Sequence, residues 1–134
     1  MAESGLIVGY AAAPPRGRGS GLRVHHDGTV ELLADGAPWH RIGTLTGAEA
    51  ERLAELTRAA GIPELPPEVE RPPGLIGGST CEWWTDLDRQ AVHSVIHGWT
   101  DDNPAAVPSR RLVMELSELV SAAQAREASS RALS

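Results

Sequence analysis

Asp27-Gly28 joins Leu22-Arg23-Val24-His25-His26 to Thr29-Val30-Glu31-Leu32-Leu33, two alternating stretches linked by residues that accept positive φ. No other short stretch constrains the fold as tightly, because it commits a dozen residues to an antiparallel hairpin, with a turn suited to type I′. A second turn at Asp35-Gly36-Ala37-Pro38 leads into Trp39–Leu45, which reads as a third strand. Thr46-Gly47-Ala48-Glu49 then forms a capping box, in which the threonine hydroxyl and the glutamate carboxylate each satisfy a free amide at a helix start. The helix it opens places Ala50, Leu53, Ala54 and Leu56 on one face and stops at Gly61, which suits a left-handed C-terminus.

Residues 63–78 hold five prolines and three glycines and read as an extended connection. Ser79–Thr85 and Gln90–Trp99 follow as a second hairpin around Asp86-Leu87-Asp88-Arg89. Leu112, Leu116, Leu119, Val120 and Ala123 then recur at helical spacing, predicting an amphipathic helix from about Ser109. Upstream, Leu6–Ala11 reads as a strand or as a tail laid on the core, and the Pro14–Gly21 stretch as a flexible loop. Hairpins without βαβ alternation predict an α+β domain, an antiparallel sheet of hairpins with two helices packed on one face. The expected organisation is a strand or tail plus loop over 1–21, one domain over 22–126, and a frayed tail over 127–134. Leu53, Leu56, Leu112, Leu116 and Leu119 are the expected core between helices and sheet.

Composition narrows the function. A chain of 134 residues with a net charge of −6 fits one domain. Residues 61–105 carry only Arg71 and Arg89 against eight acids, which repels phosphate backbones and argues against nucleic-acid binding. The Arg16-Gly17-Arg18-Gly19 stretch is too short to reverse that. No apolar run approaches the roughly 18 residues of a membrane helix, and no secretion signal pattern is present, so the expected setting is cytoplasmic, without membrane contact. One cysteine, Cys81, excludes intrachain disulfides and multi-cysteine zinc sites.

The candidates for chemistry are few. His93-Ser94-Val95-Ile96-His97 has the histidine spacing of a zincin helix without its glutamate, and in a strand the two rings lie roughly 13 Å apart. His25 and His26 point to opposite faces of a strand, so neither pair predicts a metal site. Cys81 lies in a strand-like pattern and reads as a small buried hydrophobe. No phosphate loop, nucleophile elbow or dinucleotide motif appears, and no cofactor is expected.

The second hairpin is the informative element. Alternation puts Cys81, Trp83, Thr85, Val92, Ser94 and Ile96 on one face, all small or apolar enough to lie under helices. Glu82, Trp84, Asp86, Ala91, His93, Val95, His97 and Trp99 fall on the other. Glu82, Trp84, His93, His97 and Trp99 therefore form the candidate surface, since half-exposed tryptophan is enriched where partners bind. The competing structural explanation is cover by Leu6–Ala11 or by a second copy of the chain. The expected function is a non-enzymatic module that binds a protein or a small-molecule ligand through this face. The alternative is a small isomerase or cyclase using His93, His97 or His25 as acid or base. A deep cavity with a His–carboxylate pair favours the enzyme, and a flat aromatic patch favours the module.

The Leu45–Leu56 helix, the Ala59-Ala60-Gly61-Ile62-Pro63-Glu64-Leu65-Pro66 exit, the strand pair and the closing helix resemble the emfourin family of small bacterial metalloprotease inhibitors. The likeness spans about residues 22–123 and implies an inhibitor-like α+β module. The family's Ser-Gly-Gly signature has no clear match before Leu22, so no inhibitory residue carries over.

Overall fold

The computed structural model describes residues 5–13, 19–34, 37–76, 78–87 and 90–132. Arg16 to Arg18, Asp35-Gly36 and Asp88-Arg89, which entered the reading of loops and turns, lie outside the described residues.

The first hairpin forms from β2 (Ser20–His25) and β3 (Thr29–Leu33), with Val24 opposite Val30. Its turn is one residue longer than a two-residue type I′ connection. The Gly28 amide donates to the His25 carbonyl at 2.9 Å, closing a turn around His26 and Asp27, and Gly28 follows at φ 93°. The Asp27 carboxylate accepts from the Thr29 amide at 2.9 Å. Glycine is required here for a second reason: a Cβ would lie 2.6 Å from the Leu45 carbonyl oxygen. The third strand, β4 (His40–Thr44), pairs with β3.

Helix α1 (Gly47–Ala59) starts at the capping box, with the Glu49 amide on Thr46 Oγ1 at 3.1 Å and the Thr46 amide on Glu49 Oε1 at 2.9 Å. It ends before Gly61, which adopts φ 76°. The proline-rich connection is more structured than its composition suggests. Ile62–Glu64 makes one 3-10 turn, and Glu68–Val69 forms a two-residue strand, β5, parallel to the last strand. Strands β6 (Ser79–Thr85) and β7 (Val92–Trp99) make the second hairpin. Helix α2 (Val107–Ala132) closes the chain, with Pro108 in the first turn, where a missing amide costs no hydrogen bond. It continues through Glu127, where the composition predicts a tail; the Glu127 carboxylate accepts from Arg41 of β4.

Leu6–Ala13 is strand β1, and it lies inside the sheet, paired with β2 on one side and β6 on the other. It therefore joins the two hairpins and does not cover either face. The seven strands run in the order β4-β3-β2-β1-β6-β7-β5, antiparallel except for β5 against β7. Both helices lie on one side of the sheet, giving an α+β fold. Val8, Val24, Val30, Trp83 and Ile96 supply the sheet side of the core, and Leu53, Leu112, Leu116 and Val120 the helix side. Leu56 and Leu119 pack at its margin, half-buried. Buried hydroxyls are satisfied locally: Thr85 donates to the Ile7 carbonyl, Ser94 to Pro66 and Thr57 to Leu53. No helix among the described residues is long and apolar enough to cross a membrane.

Candidate functional site

Insertion of β1 between the hairpins aligns their outer faces. One register row crosses the open side: Glu31 of β3, Arg23 of β2, Gly9 of β1, Trp84 of β6 and His93 of β7 are successive partners. The next positions bring His25 opposite Leu6. On this side lies a solvent-open trough of about 520 Å³, lined among others by Leu6, Arg23, His25, Trp84, Asp86 and His93.

Each wall is held by its own contacts. The Trp84 and His93 rings stack almost parallel, with centroids 5.3 Å apart and 4° between planes. His93 donates from Nε2 to the Glu82 carboxylate at 2.9 Å, so three of the predicted residues form one cluster. On the other wall the Arg23 guanidinium lies 4.4 Å from the Trp39 ring centroid, a cation–π contact, and donates from Nε to Glu31 at 2.6 Å. His25 donates to the same Glu31 oxygen at 2.5 Å. The bond from His25, then the Arg23 guanidinium, holds the Glu31 carboxyl below the usual carboxylate range, so Glu31 stays ionised.

His97 shares the open side but faces away from the trough, donating to Glu68 of β5 at 2.8 Å. Trp99 is not part of this face. The alternation that assigned it there breaks at a bulge, where the β6–β7 register shifts and Gly98 adopts φ 67°. A one-residue slip turns the next side chain to the opposite side. Trp99 therefore packs under α2, where its indole donates to Ser109 at 2.8 Å and Arg110 lies 4.8 Å from its ring centroid. Asn103, almost wholly buried, bonds the His97 and Gly98 carbonyls at 3.2 and 3.0 Å and holds the bulge in place.

Arg23 and Trp39 were not singled out by sequence, because nothing local links the first hairpin to the second. The available signal was alternation: Arg23 and His25 lie on the polar side of β2, as Trp84 does on β6. Cys81 is fully buried under the helices, and burial, with Glu82 adding, pushes its thiol well up, so it stays protonated. The same burial raises the Tyr10 hydroxyl to about 12. Among the described residues, no three His, Cys, Asp or Glu side chains converge as a metal site would need.

No protein-family model and no curated protein matches the chain.

Proposed function

We propose that this chain is a non-enzymatic binding module that engages its partner through the open face of its sheet. Glu82, Trp84 and His93 form one contact cluster, Arg23 and Trp39 the other, and His97 the margin. The observation that carries this reading is the asymmetry of the sheet. Both helices pack on one side, while the other keeps a trough lined by the half-buried Trp84 and by Arg23, whose guanidinium lies against the half-buried Trp39. Aromatic anchors beside arginine are the composition of binding hot spots.

The emfourin resemblance makes a bacterial metalloprotease the first partner class to test. The chain is titrated into such a protease and residual activity is measured. Inhibition near one-to-one stoichiometry, weakened at least roughly tenfold in Trp84→Ala, supports the reading. Inhibition that is identical in Trp84→Ala removes the open face from it. Absence of inhibition removes the protease and leaves self-association as the next partner, read as a concentration-dependent mass that Trp84→Ala lowers.

One observation favours the acid–base alternative: His25 and His93 both enter the trough, each tied to a carboxylate. Their strands are three apart, however, about 14 Å at the usual spacing. Acid–base catalysis needs both groups within hydrogen-bond reach of the reacting atoms, inside a site that limits water. An open trough with widely set imidazoles fits binding better.

A further inference from the structure

We infer that this chain pairs with a second copy of itself, each copy seating Ile76 of its β5–β6 connection in the groove between the other copy's helices. The inference goes beyond the binding reading of the open face and does not depend on it, because the Ile76 loop lies at the opposite end of β6 and β7 from the trough. Ile76 is 94% exposed and Met114 69%, the two large apolar side chains left open among the described residues. A lone exposed apolar side chain is ordinary. Ile76, however, stands on a built support. The Leu75 amide donates to the Pro72 carbonyl at 3.2 Å, around a turn with Pro73 and Gly74 at its centre and Gly74 at φ 84°. Leu75 and Arg71 lie against the Gly98 bulge, where a Cβ would meet Leu75 Cδ2 at 2.7 Å and Arg71 Cγ at 3.2 Å. A Cβ on Gly78 would run into Thr100, so the other stem of the loop is seated as well. The loop is ordered before any contact, and little freedom is lost when Ile76 is buried.

The groove measures about 390 Å³, with Leu56 and Ala60 of α1 and Val107, Pro108 and Leu112 of α2 supplying an apolar lining. Arg111 and Glu115 complete it. Met114 stands three positions after Arg111, so the second exposed apolar side chain is its neighbour on the helix surface. Charge matches across the contact. The Arg111 and Glu115 side chains form no ion pair or hydrogen bond among the described residues, and neither do those of Glu70 and Arg71 at the stem of the loop. Each side thus offers one acid and one base, and Glu70 can meet Arg111 while Arg71 meets Glu115, without a like-charge clash. The second copy is favoured over an unrelated partner because loop and groove lie at the two ends of one short segment, residues 99–106. Asn103 pins that segment, donating to the His97 and Gly98 carbonyls and accepting from the Ala105 amide at 3.1 Å. Two features fixed side by side suit a two-fold contact, in which the loop of each copy enters the groove of the other and the assembly closes at two.

The test is the mass of the full chain by sedimentation equilibrium, loaded between about 5 and about 500 µM. The mass should rise from one chain and level at two. Ile76→Asp should weaken association at least roughly tenfold and leave the thermal midpoint unchanged, since the side chain is exposed. Arg111→Glu should weaken association as well, and adding Glu70→Arg should restore it, which a change in folding alone would not do. Trp84→Ala should leave it unaltered. A single-chain mass throughout, association untouched by Ile76→Asp, or association lost only in Trp84→Ala overturns the inference. So does a mass that climbs beyond two chains, which would mean an open head-to-tail contact. Association that Ile76→Asp abolishes and Arg111→Glu spares would seat the loop off the groove, and overturns it too. The open-face reading stands or falls separately, on protease inhibition by Trp84→Ala.

Discussion

Trp83 and Trp84 are consecutive residues of one strand, yet they occupy different environments. Trp83 is fully buried beneath the helices, its ring 5.2 Å from that of Tyr10, among valines, isoleucine and leucines. Trp84 lies half-buried on the other side, stacked on an imidazole that is itself tied to a carboxylate. The pleat alone separates them, since successive side chains point to opposite faces. The covered side is filled by shape, with the Thr85, Ser94 and Thr57 hydroxyls closed on nearby carbonyls. The open side is organised by charge: Glu31, Glu82 and Glu68 each accept from histidine, and Glu31 from Arg23 as well. Function is therefore expected from one side of the sheet and stability from the other, and that division can be tested.

The largest effect belongs to the covered side. Leu116 has no exposed surface, so Leu116→Ala should lower unfolding free energy by roughly 2–5 kcal/mol, measured by urea denaturation. An unchanged midpoint would mean that α2 does not pack through this residue. Trp84→Ala should show the reverse pattern. Partner affinity should fall by roughly 2 kcal/mol or more, while stability changes by about 1 kcal/mol or less. A Trp84→Ala chain that unfolds readily, yet binds normally while folded, would make the open side structural.

The bulge tests where the division is drawn. At φ 67° an alanine is strained, and its Cβ would lie 2.7 Å from Leu75 Cδ2. Gly98→Ala should cost about 1–2 kcal/mol and disturb the Trp99–Ser109 bond, seen as a shifted Trp99 indole resonance. A neutral substitution with an unmoved resonance would show that the bulge does not determine the side Trp99 takes.

The smallest effect lies at the helix ends. The bond from Arg126, then the Thr46 amide, holds the Glu49 carboxyl below its ordinary value of 4.5. The folded state thus binds this proton less readily than the unfolded state does. Its contribution is present above pH 4.5 and is lost as the pH falls below it. Glu49→Gln should be slightly less stable at neutral pH and should converge with the parent chain in acid. Parallel stability curves down to low pH would remove Glu49 from the acid response.

Much of the fold was legible because its signals are local. The Thr46–Glu49 box, the Gly61 stop and the in-and-out order of Cys81 to Thr85 each rest on residues within a few positions of one another, and the structure has them as expected. Of the candidate residues, Glu82, Trp84 and His93 come together; His97 joins the same side at a distance, and Trp99 does not. The Trp99 error has a definite cause, because a strict period of two has no place for the extra residue at Gly98. The short strand in the Pro-rich connection escaped for a similar reason: Glu68 and Val69 pair with β7, 27 residues on.

Residue type and spacing alone determined where chains of local hydrogen bonds begin and end, and which side of each strand is apolar. The tertiary structure alone decided that β1 enters between two hairpins, which sets Arg23 and His25 across from Trp84 and leaves Gly9 between them. The physical reason is that a turn or a cap is selected by the few dihedral angles and donors it contains. Strand order is selected by the apolar area the whole sheet buries against its helices, and the entropy of closing a longer loop grows only slowly with its length.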